Sequence, residues 1–229
     1  MLDAVLFDWG ETLVHFEWDD ALLAAGHRAG LAAAGRADDP TAFTERFRTE
    51  LLPALEPDGD YEALLRETLG LDDDGVRRFL AAEHEAWAPA HSVLATAHAL
   101  LESLRGRGLK LAVVANHWPE PAWLVRVDVE RLGVAERVDA VVLSGDVGAR
   151  KPDPRIFEHA LAELGVDATA ALFVGDRLAA DVAGAAAVGM TTAQALWFRA
   201  DDTPAGVEPD FLAFTPMDVL TAVRRLAAG

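Results

Sequence analysis

No cysteine occurs in the 229 residues, which removes disulfides, thiolate nucleophiles and cysteine-bound zinc or iron–sulfur sites together. Lysine is nearly absent as well: only Lys110 and Lys151 are present, and arginine carries the remaining positive charge. Positive charge as a whole is short, 20 Lys and Arg against 38 Asp and Glu, for a formal net charge of −18. With no basic stripe to offset it, that charge repels polyanions, so neither nucleic acid nor an anionic membrane is expected as a partner. Long apolar runs are missing too. The longest uncharged stretch, between Asp181 and Arg199, contains Gly184, Gly189, Thr191, Thr192 and Gln194, and falls short of the roughly 20 apolar residues of a spanning helix. The N-terminus opens Met1-Leu2-Asp3 with no basic flank, so no signal peptide is expected and a cytoplasmic location is.

What is present points to a globular protein. Hydrophobic residues make up 52% of the chain and charged residues 25%, enough apolar surface to bury a core. The length suits one domain with a large insertion, or two small domains. The apolar run Ala4-Val5-Leu6-Phe7 stops at Asp8-Trp9-Gly10-Glu11-Thr12 and reads as a buried strand followed by a turn. From about Trp18 to Ala88 the spacing is helical. Leu22, Leu23 and His27 share one face, and Phe43 and Phe47 lead a second helix expected to end near Pro57-Asp58-Gly59. Tyr61–Leu69 makes a third, and Val76, Phe79, Leu80 and His84 mark a fourth, opened by Asp72-Asp73-Asp74.

Beyond residue 92 strands and helices alternate. Strands are expected at 109–115, 138–143, 170–174, 191–196 and 210–214, with helices at 98–107, 119–132, 154–164, 178–188 and 217–226. Alternation at this spacing builds parallel βαβ units. The reading is therefore α/β: a Rossmann-like three-layer core with a parallel sheet, residues 1–14 and 92–229, carrying an inserted all-helical cap domain at 15–91.

Ligands of an open parallel sheet bind beyond the carboxyl ends of its strands. Asp8 follows the first strand, Asn116 the second, Lys151 lies in the loop after the third, and Asp176 and Asp181 follow the fourth. Clustered acids resist ionising together unless a cation joins them, and an all-oxygen set without histidine favours Mg²⁺ over zinc. Each residue has a plainer reading: turn residue for Asp8, solvated lysine for Lys151, helix cap for Asp176 or Asn116, first-turn acid for Asp181. The cap arginines Arg28, Arg46 and Arg48 read as solvated helix faces, and His117 and Trp118 as packing residues.

Four segments in order resemble the haloacid dehalogenase-like superfamily over the whole chain: Phe7-Asp8-Trp9-Gly10-Glu11-Thr12-Leu13; Val113-Val114-Ala115-Asn116; Lys151-Pro152-Asp153-Pro154-Arg155-Ile156-Phe157; and Val174-Gly175-Asp176-Arg177 through Asp181-Val182-Ala183-Gly184-Ala185, with Gly189-Met190 following. The resemblance implies Asp8 as a nucleophile forming an aspartyl intermediate, and Lys151 as the charge that neutralises Asp8 and the phosphoryl oxygens. It also implies Mg²⁺ on Asp8, the Gly10 carbonyl, Asp176 and Asp181. Positions 115 and 116 become substrate contacts, the insertion a C1-type cap, and the partner a small phosphorylated molecule, with monomer and homodimer both open.

Two departures stand out. Phosphatases of the superfamily carry a second Asp two residues after the nucleophile, where this chain has Gly10; Glu11 is the nearest carboxylate that offers a substitute. The usual Ser or Thr of the second segment is Ala115. Haloacid dehalogenases also lack the second Asp, but their last segment generally lacks the Gly-Asp pair kept here as Gly175-Asp176. Phosphonatases use a cap lysine for a Schiff base, and residues 15–91 contain none. A catalytically weak fold retained for binding is the remaining alternative.

Overall fold

The computed structural model describes residues 2–55, 59–117, 119–199, 201, 203 and 205–228. The turn expected at Pro57-Asp58 and the packing residue Trp118 lie outside them. The strands are β1 (Ala4–Phe7), β2 (Val14–Phe16), β3 (His91–Val93), β4 (Lys110–Ala115), β5 (Ala140–Leu143), β6 (Ala171–Gly175), β7 (Thr191–Ala195) and β8 (Phe211–Ala213). Six of them form one sheet in the order β5-β4-β1-β6-β7-β8, and every neighbouring pair runs parallel. The sheet is α/β and Rossmann-like, as the alternation implies. β1 is wholly buried and central, with Phe7 in register with Val113 on one side and Val174 on the other.

The chain divides into two compact units. A sheet unit comprises residues 1–15, 92–116 and 129–229, and a helical unit comprises 16–91 and 117–128. The first packs its strands under the helix Pro154–Leu164, whose Ile156, Phe157, Ala160 and Leu161 join Leu6, Val114, Val142 and Phe173 in one apolar cluster. The second is built on the helices Asp20–Ala33, Pro40–Arg46, Tyr61–Leu69 and Asp73–Trp87. Its core gathers Leu23, Leu31, Phe43, Phe47, Leu65, Phe79, Leu80 and Trp87. Residues 117–128, assigned to the core domain from sequence, group with this unit because Leu124 joins that apolar cluster.

Five of the 38 acidic residues serve helix starts. Asp19, Asp39, Asp60, Asp72 and Asp153 each accept a main-chain N–H at the first turn of the helix that follows, satisfying donors that would otherwise lack partners. Arg46 and Arg48 pair with Glu50 and Asp20. Among the described residues, no helix is long and apolar enough to cross a membrane.

Candidate active site

Because β4, β1 and β6 are neighbours, the residues that follow them leave the sheet at one edge. Asp8 comes directly after β1 and is tied to β6 by its own N–H, which donates to the Val174 carbonyl at 2.9 Å. Asn116 follows β4 and grips the loop that carries Lys151. Its Nδ2 donates to the Lys151 carbonyl at 2.9 Å, and its Oδ1 accepts the Lys151 N–H at 2.8 Å. Both ends of that amide are thus spent on positioning the lysine. The substrate contact expected of Asn116 is left to its main chain or to its second amide hydrogen.

Lys151 bridges two carboxylates. Its Nζ lies 2.5 Å from Asp8 Oδ1 and 2.6 Å from Asp181 Oδ1, and all three side chains are buried. Thr12 Oγ1 donates to Asp8 Oδ2 at 3.4 Å, and Asp181 Oδ2 accepts the Arg177 N–H at 3.0 Å. Asp176 is met from the loop after β7, where Arg199 Nε donates to its Oδ2 at 2.8 Å. Gly175 is a steric requirement here: a Cβ at that position would fall 2.4 Å from Asp181 Cγ. Asp181 sits on a π turn, Leu178–Ala183, a widened helical turn that recurs at functional sites.

The charges do not balance. Burial raises Asp8 above the ordinary carboxylate value, Lys151 opposes that shift and the neighbouring Asp176 adds to it. Asp176 is raised by burial and by Asp181 against the pull of Arg199, and Asp181 by burial and by Asp8 against the pull of Lys151. Burial lowers Lys151, but Asp181 and Asp8 outweigh it and hold the ammonium charged. One carboxylate oxygen from each of Asp8, Asp176 and Asp181 lies within 4.8 Å of the others. Three buried acids against Lys151 and Arg199 leave excess negative charge at one point, which fits a hard, oxygen-seeking cation.

The two departures persist in three dimensions. Gly10 opens onto space: apart from its own chain neighbours, no atom lies within 4 Å of where a Cβ would stand. Glu11 carries an unusual left-handed backbone, φ 55°, and its Oε2 lies 3.2 Å from His15 Nδ1, whose ring stacks on Phe198. Ala115 is buried at the end of β4. Sequence reasoning missed Arg199, Thr12 and the part Asn116 plays toward Lys151. Arg199 was signalled by its place after a strand of the same sheet; the other two depend on side-chain directions that spacing does not encode.

Comparison with known proteins gives consistent results. The family model of haloacid dehalogenase-like hydrolases matches residues 2–189. A glyceraldehyde 3-phosphate phosphatase from Methanopyrus kandleri is 31% identical over 99% of this chain and 99% of its own. Among solved structures, an HAD phosphatase from Thermococcus onnurineus is similar with TM-score 0.70 and 25% identity, covering 97% of this chain and 98% of that one. A 2-haloacid dehalogenase from Pseudomonas syringae gives TM-score 0.66 and 26% identity, covering 99% and 100%.

Proposed function

The chain belongs to the haloacid dehalogenase-like hydrolases, and from that premise we propose that it is a Mg²⁺-dependent phosphatase of small phosphorylated metabolites, acting through a covalent phosphate on Asp8. The observation that carries this reading is Lys151 held between Asp8 and Asp181 inside a buried acid trio at the carboxyl edge of the sheet. A full-length relative named as a phosphatase supports it.

In this reading an Asp8 carboxylate oxygen attacks phosphorus while the ester P–O bond breaks, and the leaving oxygen departs with the bonding electrons. Lys151 keeps Asp8 ionised and stands against the phosphoryl oxygens as negative charge gathers on them. Asp8, the Gly10 carbonyl, Asp176 and Asp181 would hold Mg²⁺, which when bound neutralises charge on the transferring group. Arg199 and the Arg177 N–H fix the acids from behind. Water then attacks phosphorus, releasing phosphate and restoring Asp8. Position 10 supplies no proton to the leaving group and no base to that water, and Glu11 is engaged with His15.

The test is a panel of phosphate esters and 2-haloacids assayed with Mg²⁺ and with EDTA. Mg²⁺-dependent phosphate release that Asp8→Asn abolishes is expected. Chelator-resistant halide release overturns the phosphatase reading in favour of a dehalogenase. No turnover on any ester, acyl phosphates included, makes the chain a binding protein.

A further inference from the structure

The helical unit contains a second convergence of metal-binding side chains, unrelated to the acid trio. His84 lies on the helix Asp73–Trp87, His91 opens β3, and Glu120 and Asp128 come from 117–128. His84 Nδ1 hydrogen-bonds Glu120 Oε1 at 2.7 Å. The other ring nitrogen, His84 Nε2, is 3.2 Å from Asp128 Oδ1, and His91 Nδ1 is 2.5 Å from Asp128 Oδ2. The side chains of His84, His91 and Asp128 are 5%, 9% and 3% exposed. His84 Nε2 and His91 Nδ1 thus both face Asp128, one to each of its oxygens.

Buried polar atoms are nearly always paired, and here two buried imidazole nitrogens converge on the two oxygens of one buried carboxylate. Two imidazoles and a carboxylate are the donor set of a borderline divalent ion. Glu120 has the place of the outer carboxylate that takes the proton of one ring nitrogen and leaves the other free to ligate. The ring centroids of His84 and His91 are 5.8 Å apart. Two imidazoles sharing one ion at ~2.0–2.1 Å would set their centroids about 5–6 Å apart.

We propose that the helical unit holds a divalent transition-metal ion of the zinc class on His84 Nε2, His91 Nδ1 and Asp128, with Glu120 orienting His84. The ion ties the helix Asp73–Trp87, the end of the inserted segment and the stretch 117–128 into one unit. It is a structural pin, because its ligands come from three separated segments and it adds a polar link to the apolar packing of Trp87, Ala90 and Leu124.

The test uses metal-free full-length protein in excess Mg²⁺, so that the all-oxygen trio is occupied, titrated with Co²⁺ and then Zn²⁺. One equivalent of Co²⁺ should give the strong visible bands of a nitrogen-ligated site of low coordination number, and Zn²⁺ should abolish them. Ring ¹⁵N resonances of two of the seven histidines should move on binding. His91→Ala and Asp128→Asn should lose the bands, whereas Glu120→Gln should keep them with about 10–100-fold weaker affinity. Exposed His159, changed to Ala, should have no effect. Wild type that shows neither bands nor shifted ring resonances overturns the proposal whatever the variants do, and equal affinity in His91→Ala overturns it as well.

Discussion

At the scale of single residues, the proposed mechanism turns on position 10. A side chain there meets open space, so Gly10→Asp should fold without strain and place a carboxyl two residues after Asp8. Wild type, lacking that acid, should hydrolyse aryl and acyl phosphates far faster than alkyl phosphates, whose leaving groups need a proton. Gly10→Asp should raise turnover of alkyl phosphates by about 10²-fold or more, the usual return from a positioned acid–base group. Glu11→Gln should change little, since its carboxylate is turned toward His15. A steep loss in Glu11→Gln, with wild type already fast on alkyl phosphates, would show that Glu11 does the work. Asn116 offers a second prediction. Removing its amide strands both main-chain groups of Lys151, so Asn116→Ala should cost about 1–3 kcal/mol of stability. Steady-state kinetics should show the loss in kcat more than in KM, because the misplaced lysine acts on the reacting phosphoryl group.

Elements show which features of a chain are legible without coordinates. The central strands appear within a residue or two of expectation because they are short, mostly buried and largely apolar runs, and the helices Tyr61–Leu69 and Pro154–Leu164 fall at their expected bounds. Asp8, Lys151, Asp176 and Asp181 were legible for a related reason: each sits at a strand's carboxyl end, where topology brings loops together. The grouping of 117–128 with the helical unit was not legible because its partners are distant in sequence; Glu120 and Asp128 have no local pattern that points to His84 or His91. The helix Asp20–Ala33 carries a further test. Gly30 faces Phe79 so closely that a Cβ would stand 2.9 Å from its ring. Gly30→Ala should therefore force that ring aside and destabilise the helical unit by about 1–3 kcal/mol, read in urea unfolding. A neutral or stabilising effect would mean that the two helices separate without cost.

Over the whole molecule, the acid trio stores unfavourable charge that a cation relieves. The folded state raises the affinity of Asp8, Asp176 and Asp181 for protons, so their contribution to stability is full below about pH 4 and is lost as pH rises through the raised values. In EDTA at pH 7, Asp176→Asn should therefore melt above wild type, and its advantage should shrink toward pH 4. Mg²⁺ at about 100 times its Kd should stabilise wild type by about 2.7 kcal/mol and reverse that order. Equal melting temperatures in EDTA would mean that Arg199 already neutralises the site. The central position of β1 governs one more property, the order in which a newly made chain comes to life. β1 is translated before either strand that flanks it, and both of those are encoded beyond the whole inserted segment. Until β4 and β6 emerge it remains an unpaired apolar ribbon, the kind of nascent segment that chaperones retain. Asp8 is thus made well before the segments that bring Lys151, Asp176 and Asp181 to it.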